Sequence, residues 1–292
     1  MTDDPFVAHR SLLFTVAYEL LGSAADAEDT VQDAWLRWDG IGADGQAEVV
    51  DPRAYLVRIV SRLALNRLRT LSRRKEDYVG EWLPEPLLTA PDVADDVELA
   101  ESVSIAMLTV LETLTPTERA VFVLREVFDL PFDEIAAATD KSVTAVRQIA
   151  HRARSHVAAR RPRMDVDRGD QQRVVSQFLS ALQTGDLQAL MDALAPDAVL
   201  IADGGGVVAA VRQPVLGAKK IANLLRGFAE FAPTAVIEAV LVNGAPGARI
   251  FLDGAIDTVI GFAFEDGRIS RVFAMRNPAK LQRLGGLTSI TR

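Results

Sequence analysis

Residues 132–163 read FDEIAAATDKSVTAVRQIAHRARSHVAARRPR, and they say most about the kind of protein this is. From position 141 onward the stretch holds seven Lys or Arg residues and no carboxylate, in a chain whose net charge is -8. Its first part has the length of a short helix and ends at a polar turn, so the whole predicts a helix-turn-helix. Ser142 is placed to cap the second helix, because its hydroxyl can accept a hydrogen bond from a free backbone N–H group.

The second helix of this pair is amphipathic. Its apolar positions share one face and predict packing within the domain: Val146, Ile149, Ala150, Ala153 and Val157. The remaining surface is polar and basic, and it predicts DNA contacts in a major groove: Ser142, Thr144, Arg147, Gln148, His151 and Arg152. The alternative is a basic amphipathic helix that is only solvated or lies on a membrane.

A second basic element lies nearer the N-terminal end. Asp51 and Pro52 predict a helix start, and the helix carries eight basic residues before the first acid, Glu76. One stripe is apolar and consists of Val57, Val60, Ala64, Leu68 and Leu71. The stripe almost opposite is polar and predicts a rail that follows phosphates: Arg58, Arg62, Asn66, Arg69 and Arg73.

Two further helices are predicted upstream, at 12–21 and 24–38, the second capped by Ser23. The second is acidic in its first half, with the carboxylates Asp26, Glu28, Asp29 and Asp33. Its apolar anchors are Val31, Ala34, Trp35 and Trp38. An acidic helix does not serve DNA, so we expect it to present carboxylates to a protein partner or to solvent.

Composition excludes several classes of protein. The 292 residues suggest two domains or three small ones, and the absence of cysteine excludes disulfides, thiolate metal sites and cysteine catalysis. Three histidines, His9, His151 and His156, are too few and too scattered for a zinc centre, so we predict no metal and no cofactor. No apolar leader or membrane-length run is present, which predicts a cytoplasmic protein without a membrane partner.

Together these segments resemble a known family. RSLLFTVAYELLGSAADAEDTVQDAWLRW, DPRAYLVRIVSRLALNRLRTLSRR and TPTERAVFVLREVFDLPFDEIAAATDKSVTAVRQIAHRARSHV are similar to the two domains of extracytoplasmic-function sigma factors of bacterial RNA polymerase. The resemblance implies that the arginine rail faces the melted promoter element near minus 10 and that helix 143–156 reads the element near minus 35. It also implies a core-polymerase surface made of Asp26, Glu28, Asp29, Asp33 and Trp38. Many relatives have arginine where this chain has Ile149.

Between these domains lies a proline-containing acidic linker, residues 76–101, with nine carboxylates and no base. Its prolines, Pro84, Pro86 and Pro91, predict an extended segment. Trp82 is its one tryptophan, and a large exposed indole is costly in a linker, which favours a docking site. WLPEPL resembles a signature of the sigma subgroup with a C-terminal extension.

Residues 171–292 predict that extension as an α+β cone. Helices are expected at 171–184, 187–194 and 218–231, strands at 198–202 and 207–211, and four more strands up to 274. Asp266–Gly267 predicts a hairpin turn. The segment resembles SnoaL-like proteins of the nuclear-transport-factor fold, and DGGG (203–206) and NPAKL (277–281) resemble subgroup motifs, with Ala279 where the motif has aspartate.

Three roles are open for the cone. Residues 164–292 contain no His, Cys, Tyr or Trp, which disfavours an enzyme, although Asp203 is a possible general base or a plain turn former. Binding of a small ligand in a cavity and docking to the rest of the protein are the other two. For docking, the predicted interdomain residues are Trp82, Leu83, Pro84, Asp203, Gly204, Gly205, Gly206, Asn277 and Pro278.

The predicted architecture is therefore multidomain. It has an all-α sigma domain at 1–77, a linker at 78–100, an all-α helix-turn-helix domain at 101–163 and a SnoaL-like α+β domain at 170–292. The predicted function is a non-enzymatic sigma factor that binds core RNA polymerase and promoter DNA and is regulated in cis by its cone. The alternative is a ligand-sensing helix-turn-helix regulator that binds DNA without polymerase.

Overall fold

The computed structural model describes residues 4–75, 78–160, 167–282, 284 and 286–292, with the backbone alone at 72–75 and 95. The first part of the chain is a helical domain, formed by α1 (Pro5–Leu21), α2 (Ala24–Gly40), α3 (Gly42–Ala47) and α4 (Pro52–Lys75). The helix starts follow local chemistry, since the Ser23 hydroxyl accepts from the Asp26 N–H and the Asp51 carboxylate accepts from the Ala54 N–H at 3.0 Å. Gly22 ends α1 in the left-handed conformation, with φ of 66°.

The linker begins as extended chain over 78–90 and then becomes helical. Two short helices follow, α5 (Pro91–Asp95) and α6 (Val97–Ser102). The prediction of an extended segment is wrong for this second half, because Pro91 occupies the first turn of α5 and the Asp96 carboxylate caps α6.

The second helical domain contains the predicted helix-turn-helix. Its helices are α7 (Ile105–Leu111), α8 (Pro116–Phe122) with a π-helical turn at Val123–Val127, α9 (Phe132–Thr139) and α10 (Val143–Ala158). Asp140 makes the turn with φ of 59°, and the Ser142 hydroxyl accepts from the Ala145 N–H at 3.2 Å, which confirms the predicted cap. The apolar residues of the two helical domains form one continuous core rather than two.

The third part is an α+β cone, residues 168–282. Its helices are α11 (Arg168–Thr184), α12 (Leu187–Ala193), α13 (Ala218–Leu225), α14 (Phe228–Phe231) and α15 (Pro278–Leu281). Its strands are β1 (Leu194–Asp203), β2 (Val215–Leu216), β3 (Val236–Val242), β4 (Ala245–Leu252), β5 (Ala255–Glu265) and β6 (Arg268–Met275). They form one sheet in the order β2-β1-β6-β5-β4-β3, antiparallel except between β1 and β6. The predicted Asp266–Gly267 hairpin turn is confirmed.

Two details of the cone differ from the sequence-based expectation. The strand predicted at 207–211 is a loop, because Gly205 and Gly206 turn the chain with φ of 63° and 71° and leave Val207 in solvent. The helix predicted at 218–231 is divided at Arg226–Gly227, since Gly227 is a weak helix former.

Both faces of the sheet are covered, and the two covers differ in origin. One face packs against the cone's own helices, through residues such as Phe178, Leu190 and Ile221. The other face packs against Leu83 and Leu88 of the linker and Ile105 of α7. After α15 the chain returns to the first domain, where Ile290 enters the helical core. Among the described residues, no helix combines the length and apolarity that a membrane span needs.

Candidate functional site: the basic faces and the interdomain junction

Helix α10 presents the polar face that the sequence predicts. Val146, Ile149, Ala150, Ala153 and Val157 are all buried, whereas Thr144, Arg147, Gln148, His151 and Arg152 are exposed. Ile149 is thus a core residue here, not a surface one. The Arg147 guanidinium lies 5.6 Å from the centre of the Phe132 ring on α9, which gives this side chain a fixed base while its donors remain accessible.

Helix α4 presents the second predicted face. Arg58, Arg62, Asn66 and Arg69 are exposed along one side, opposite the buried Val57, Val60, Ala64 and Leu68. Arg73 belongs to the same helix, but its side chain lies outside the described residues. The Arg58 guanidinium lies 5.4 Å from the centre of the Tyr55 ring, and the Asn66 side chain accepts from Arg69 at 3.3 Å.

The arginine rail of α4 reaches the turn of the helix-turn-helix in this structure. The Arg62 guanidinium lies 3.4 Å from the carboxylate of Asp140, the turn residue of the helix-turn-helix. Helix α4 also packs against α8 and α9. The arrangement is closed, because the first helical domain and the helix-turn-helix domain pack directly against each other.

Two arginines of the same domain partly neutralise the charge of the acidic helix α2. Arg67 of α4 binds Asp26 and Asp29, the second at 2.9 Å, and Arg10 binds Glu28 at 2.6 Å. Asp33 is exposed. The carboxylates therefore form one side of a surface that remains available to a partner, with Asp33 foremost.

Trp38 cannot take part in that surface. Its side chain is 1% exposed, and its indole N–H donates to Asp4 at 3.3 Å, so the prediction that it touches a partner is wrong for this conformation. On the same helix Trp35 and Leu36 are 41% and 55% exposed, so they are accessible where Trp38 is not. Trp35 is thus not the buried anchor that the sequence suggests.

The predicted interdomain residues come together around one buried carboxylate. Asp203, at the end of β1, is 0% exposed. It accepts hydrogen bonds from the Tyr78 hydroxyl at 2.6 Å, the Leu83 backbone N–H at 2.9 Å and the Gly205 backbone N–H at 3.0 Å. Lys280 of α15 supplies the counter-charge at 2.6 Å. A carboxylate with this many donors is a structural anchor and not a general base facing substrate.

Glycine is required on the cone side of this junction. The turn comprises Gly204, Gly205 and Gly206. A side chain at Gly205 would begin 2.5 Å from the Asn277 amide nitrogen, and Gly205 also has a positive φ of 63°. Asn277 in turn caps α15, whose first residue is Pro278. The DGGG and NPAKL segments therefore form one surface.

The linker lies on that surface through the residues around Trp82. The Lys280 ammonium group donates to the Leu83 carbonyl and lies 4.1 Å from the centre of the Trp82 ring. Leu83 and Pro84 are buried, and Trp82 is half-buried. Ala279, where the family motif has aspartate, is exposed, and its backbone N–H donates to the Asn277 amide oxygen at 3.0 Å. Burial lowers the pKa of Lys280, against the opposing effect of Asp203, and burial with the Asp203 hydrogen bond raises the pKa of Tyr78.

A second ionisable cluster was not foreseen from the sequence. Glu19 of α1 is buried and accepts from the Ser102 hydroxyl at 2.9 Å, while Arg119 of α8 donates to the Glu19 carbonyl at 3.0 Å and pairs with Glu112. Burial raises the pKa of Glu19 to about 8. The apolar run around Glu19 in LLFTVAYELL is the signal, because a lone carboxylate there must be buried with partners. Tyr78 and Lys280 were also missed, although NPAKL contains the latter.

Among the described residues, no group of three or more potential metal ligands is close enough to hold an ion. Comparison with known families identifies two domains of transcription proteins. Residues 6–74 match the family description Sigma-70 region 2, and residues 104–157 match Sigma-70, region 4.

Similarity to whole proteins extends over the cone. The chain is 36% identical over 289 residues to the ECF RNA polymerase sigma factor SigJ of Mycobacterium tuberculosis, covering 94% of this chain and 91% of the relative. It is 31% identical to the probable ECF RNA polymerase sigma factor SigI of the same species, covering 95% of this chain and 93% of that protein. The crystal structure of SigJ superimposes with a TM-score of 0.77 at 34% identity, covering 96% of this chain and 98% of the other.

These relatives decide between the two functions that the sequence left open, since nothing in them favours a regulator that acts without polymerase. The predicted fold class is also confirmed: two helical sigma domains precede a SnoaL-like α+β domain. Core RNA polymerase and promoter DNA are the partners that sigma domains imply, and the role is transcription initiation rather than catalysis. The chain belongs to the extracytoplasmic-function RNA polymerase sigma factors and is an alternative sigma factor with a SnoaL-like extension.

Proposed function

We propose that the cone regulates this sigma factor in cis by holding its two DNA-binding domains closed, which keeps the factor inactive until the interdomain junction opens. The observation that carries the proposal is the contact between the two domains, where Arg62 of the rail lies 3.4 Å from the carboxylate of Asp140 in the turn before α10. Helix α4 also packs against α8 and α9, so the two helical domains are held together although the rail residues themselves are exposed.

Promoter geometry supports this interpretation. Elements near minus 35 and minus 10 lie about 25 base pairs apart, which is about 85 Å of B-DNA at about 3.4 Å per base pair. Helix α10 has 16 residues and is about 24 Å long. It follows directly on α9, which contacts the rail, so the two faces are too close together for both elements. Binding of both elements requires the domains to separate.

The cone is placed to oppose that separation. Its sheet binds the linker through Leu83 and Leu88 and binds the second domain through Ile105. The segment after α15 binds the first domain, where Ser11 donates to the Ser289 carbonyl at 2.9 Å and the Thr291 N–H donates to the Thr15 hydroxyl at 3.1 Å. The cone therefore contacts both domains and the linker. Because all of them belong to one chain, these contacts form at a high effective concentration, which favours the closed form.

The DNA contacts follow from the two exposed faces. We propose that Arg147 and Gln148, near the start of α10, contact base edges of the upstream element with Thr144, while Ser142, His151 and Arg152 bind its backbone. Arg58, Arg62, Asn66, Arg69 and Arg73 are proposed to bind the downstream element, with Asn66 pairing to an exposed base edge. The division at 1–77, 78–100, 101–163 and 170–292 is proposed as the domain organisation.

The core-polymerase surface is proposed to combine charge and apolar area on α2. Asp26, Glu28, Asp29 and Asp33 supply the carboxylates. Trp35 and Leu36, exposed beside them, supply the apolar area that the buried Trp38 cannot. Action on promoter DNA with core enzyme places the protein in the bacterial cytoplasm. A small ligand in the cone stays a prediction, and the cone interior is filled by Phe178, Phe262 and Phe264.

The test compares two matched lysine variants in promoter-dependent transcription with core polymerase. Lys280→Met removes the cation that joins the linker to Asp203 and is expected to raise transcription by opening the closed form. Lys220→Met, at an exposed position on α13, is the control and should behave as the parent protein. Equal transcription from all three proteins, with parental folding, would reject regulation through this junction.

A further inference from the structure

The hairpin between β3 and β4 ends in Asn243 and Gly244, and this tip is buried. Asn243 and Gly244 have φ of 53° and 76°, as the Asn-Gly pair of a tight hairpin requires. The tips of the next two hairpins, at Asp253 and Asp266, have the same backbone conformation but are exposed. Asn243 is 0% exposed, so something other than turn formation determines its environment.

The Asn243 side chain binds three different parts of the chain at once. Its amide nitrogen donates to the Tyr18 hydroxyl at 2.7 Å and to the Val103 carbonyl at 2.8 Å. Its amide oxygen accepts from the Leu87 N–H at 2.8 Å, and its own backbone N–H donates to the Leu87 carbonyl at 2.9 Å. Only a side chain with two donors and an acceptor satisfies these groups, and asparagine also tolerates positive φ.

The partners of Asn243 form a socket from three elements. Tyr18 is a buried residue of α1, and its hydroxyl donates onward to the Glu85 carbonyl at 2.6 Å. The Gly244 N–H donates to the Thr89 hydroxyl at 2.9 Å, and a side chain at Gly244 would begin 2.8 Å from Ala100 of α6. The hairpin tip therefore fits between α1, the linker and the end of α6, with no room for a larger residue.

We propose that this tip, Asn243–Gly244, is a second docking site, through which the cone binds the first sigma domain directly. It lies apart from the Asp203 network and shares none of that network's side chains. Where the Asp203 network joins the cone to the linker, Asn243 joins the cone to α1 as well. Asn243 is a positioning residue, because it is buried in the docked state and fixes the place of the first domain.

Docking of this tip can be measured without transcription, so it is tested separately from regulation by the cone. Hydrogen exchange of the full-length protein is followed in the peptide that contains Leu87 and Thr89 and in the C-terminal half of α1. Asn243→Gly keeps the turn conformation and removes the side chain, so exchange in both segments should accelerate on the order of tenfold. Asp266→Gly, at an exposed tip of the same conformation, is the control and should leave both segments as in the parent protein.

Tyr18→Phe keeps the folded core and removes only the hydroxyl that accepts from Asn243. It should accelerate exchange in the same two segments, by a smaller factor, and it serves where Asn243→Gly does not fold. Unchanged exchange in the α1 segment of folded Asn243→Gly and of Tyr18→Phe would overturn the proposal. Faster exchange with parental transcription would retain the docking site and reject the proposed regulation, so the two failures are distinguishable.

Discussion

The exposed basic faces and the buried interdomain junction use polar side chains in opposite ways. On α10 and α4 the predicted DNA-binding side chains point to solvent, and a pair such as Arg62–Asp140 at 3.4 Å contributes little there. At the junction Asp203 and Asn243 are both 0% exposed and each makes several hydrogen bonds to other parts of the chain. The faces of α10 and α4 are accessible to a partner outside the chain, whereas the buried junction is already occupied by other parts of the same chain.

Substitutions in the two regions are therefore expected to change different properties of the protein. Removing an exposed polar group costs the folded protein little, because water replaces the lost partner, and the effect is confined to binding. Removing a buried one leaves its partners unsatisfied, so stability and interdomain arrangement change together. Four sets of substitutions test this contrast, in order of decreasing effect.

Asp203→Ala is expected to have the largest effect, because it leaves Lys280 buried without its counter-charge. We expect a loss of about 3–5 kcal/mol in the free energy of unfolding, measured by urea denaturation. Asp197→Ala, at an exposed position on the same strand, should change it by less than about 0.5 kcal/mol. Similar losses for both variants would mean that burial does not distinguish the two carboxylates.

Glu19 should make stability depend on pH. Its pKa rises from 4.5 to about 8 on burial, so the native protein holds a proton that the unfolded chain releases between these values. The contribution of Glu19 to the free energy of unfolding is therefore complete below about pH 4.5. It falls as pH rises toward 8, by at most about 1.4 kcal/mol per pH unit.

Glu19→Gln tests this directly, since the amide keeps the shape and cannot ionise. The variant should lose the decline in unfolding free energy between pH 6 and about pH 8 that the parent has. If parent and variant have the same pH profile, Glu19 is ionised in the native state, and its charge is compensated by Arg119.

Arg147, on the exposed face of α10, and Arg160, exposed just after the end of that helix, separate two kinds of DNA contact. Arg147→Ala should remove about 1–3 kcal/mol of discrimination at one base pair of the upstream element. Arg160→Ala should weaken all sequences alike by losing a phosphate contact. Transcription from a set of promoter variants measures both, and equal loss of specificity from the two substitutions would contradict the assignment of α10.

Asn66 and Arg62 should have the smallest effect on the folded protein, since both are exposed. Asn66→Ala and Arg62→Ala are expected to change unfolding by less than about 0.5 kcal/mol. They should impair transcription from a duplex promoter more than from a pre-melted one, because the rail is proposed to hold single strands. Identical responses of the two templates would reduce the rail to a phosphate clamp.

The sequence predicted the exposed faces well because amphipathic periodicity is local information. The apolar stripe of α10 and the polar stripe of α4 both follow from helical spacing alone, and the side chains lie where that spacing puts them. The same reasoning misassigned Trp35 as a buried anchor, because two tryptophans three positions apart lie near one face and only packing decides which is buried.

The junction was predicted in part. WLPEPL, DGGG and NPAKL were singled out, and the structure brings Leu83, Asp203 and Asn277 together. Tyr78, Lys280 and Asn243 could not be assigned in advance, since their partners lie 125, 77 and 225 positions away in the chain. Pairings at such separations depend on how the domains pack, which no local pattern encodes.

The cone is proposed to keep the two sigma domains together, and the distance between these domains tests this directly. Because the chain has no cysteine, single cysteines introduced at Gln32 on α2 and Ser155 on α10 can carry a donor and an acceptor dye at exposed positions. Energy transfer between the dyes should be lower in Lys280→Met and in Asn243→Gly than in the parent protein, and unchanged in Lys220→Met. Energy transfer that stays at the parental value in both junction variants, with parental folding, would contradict the account.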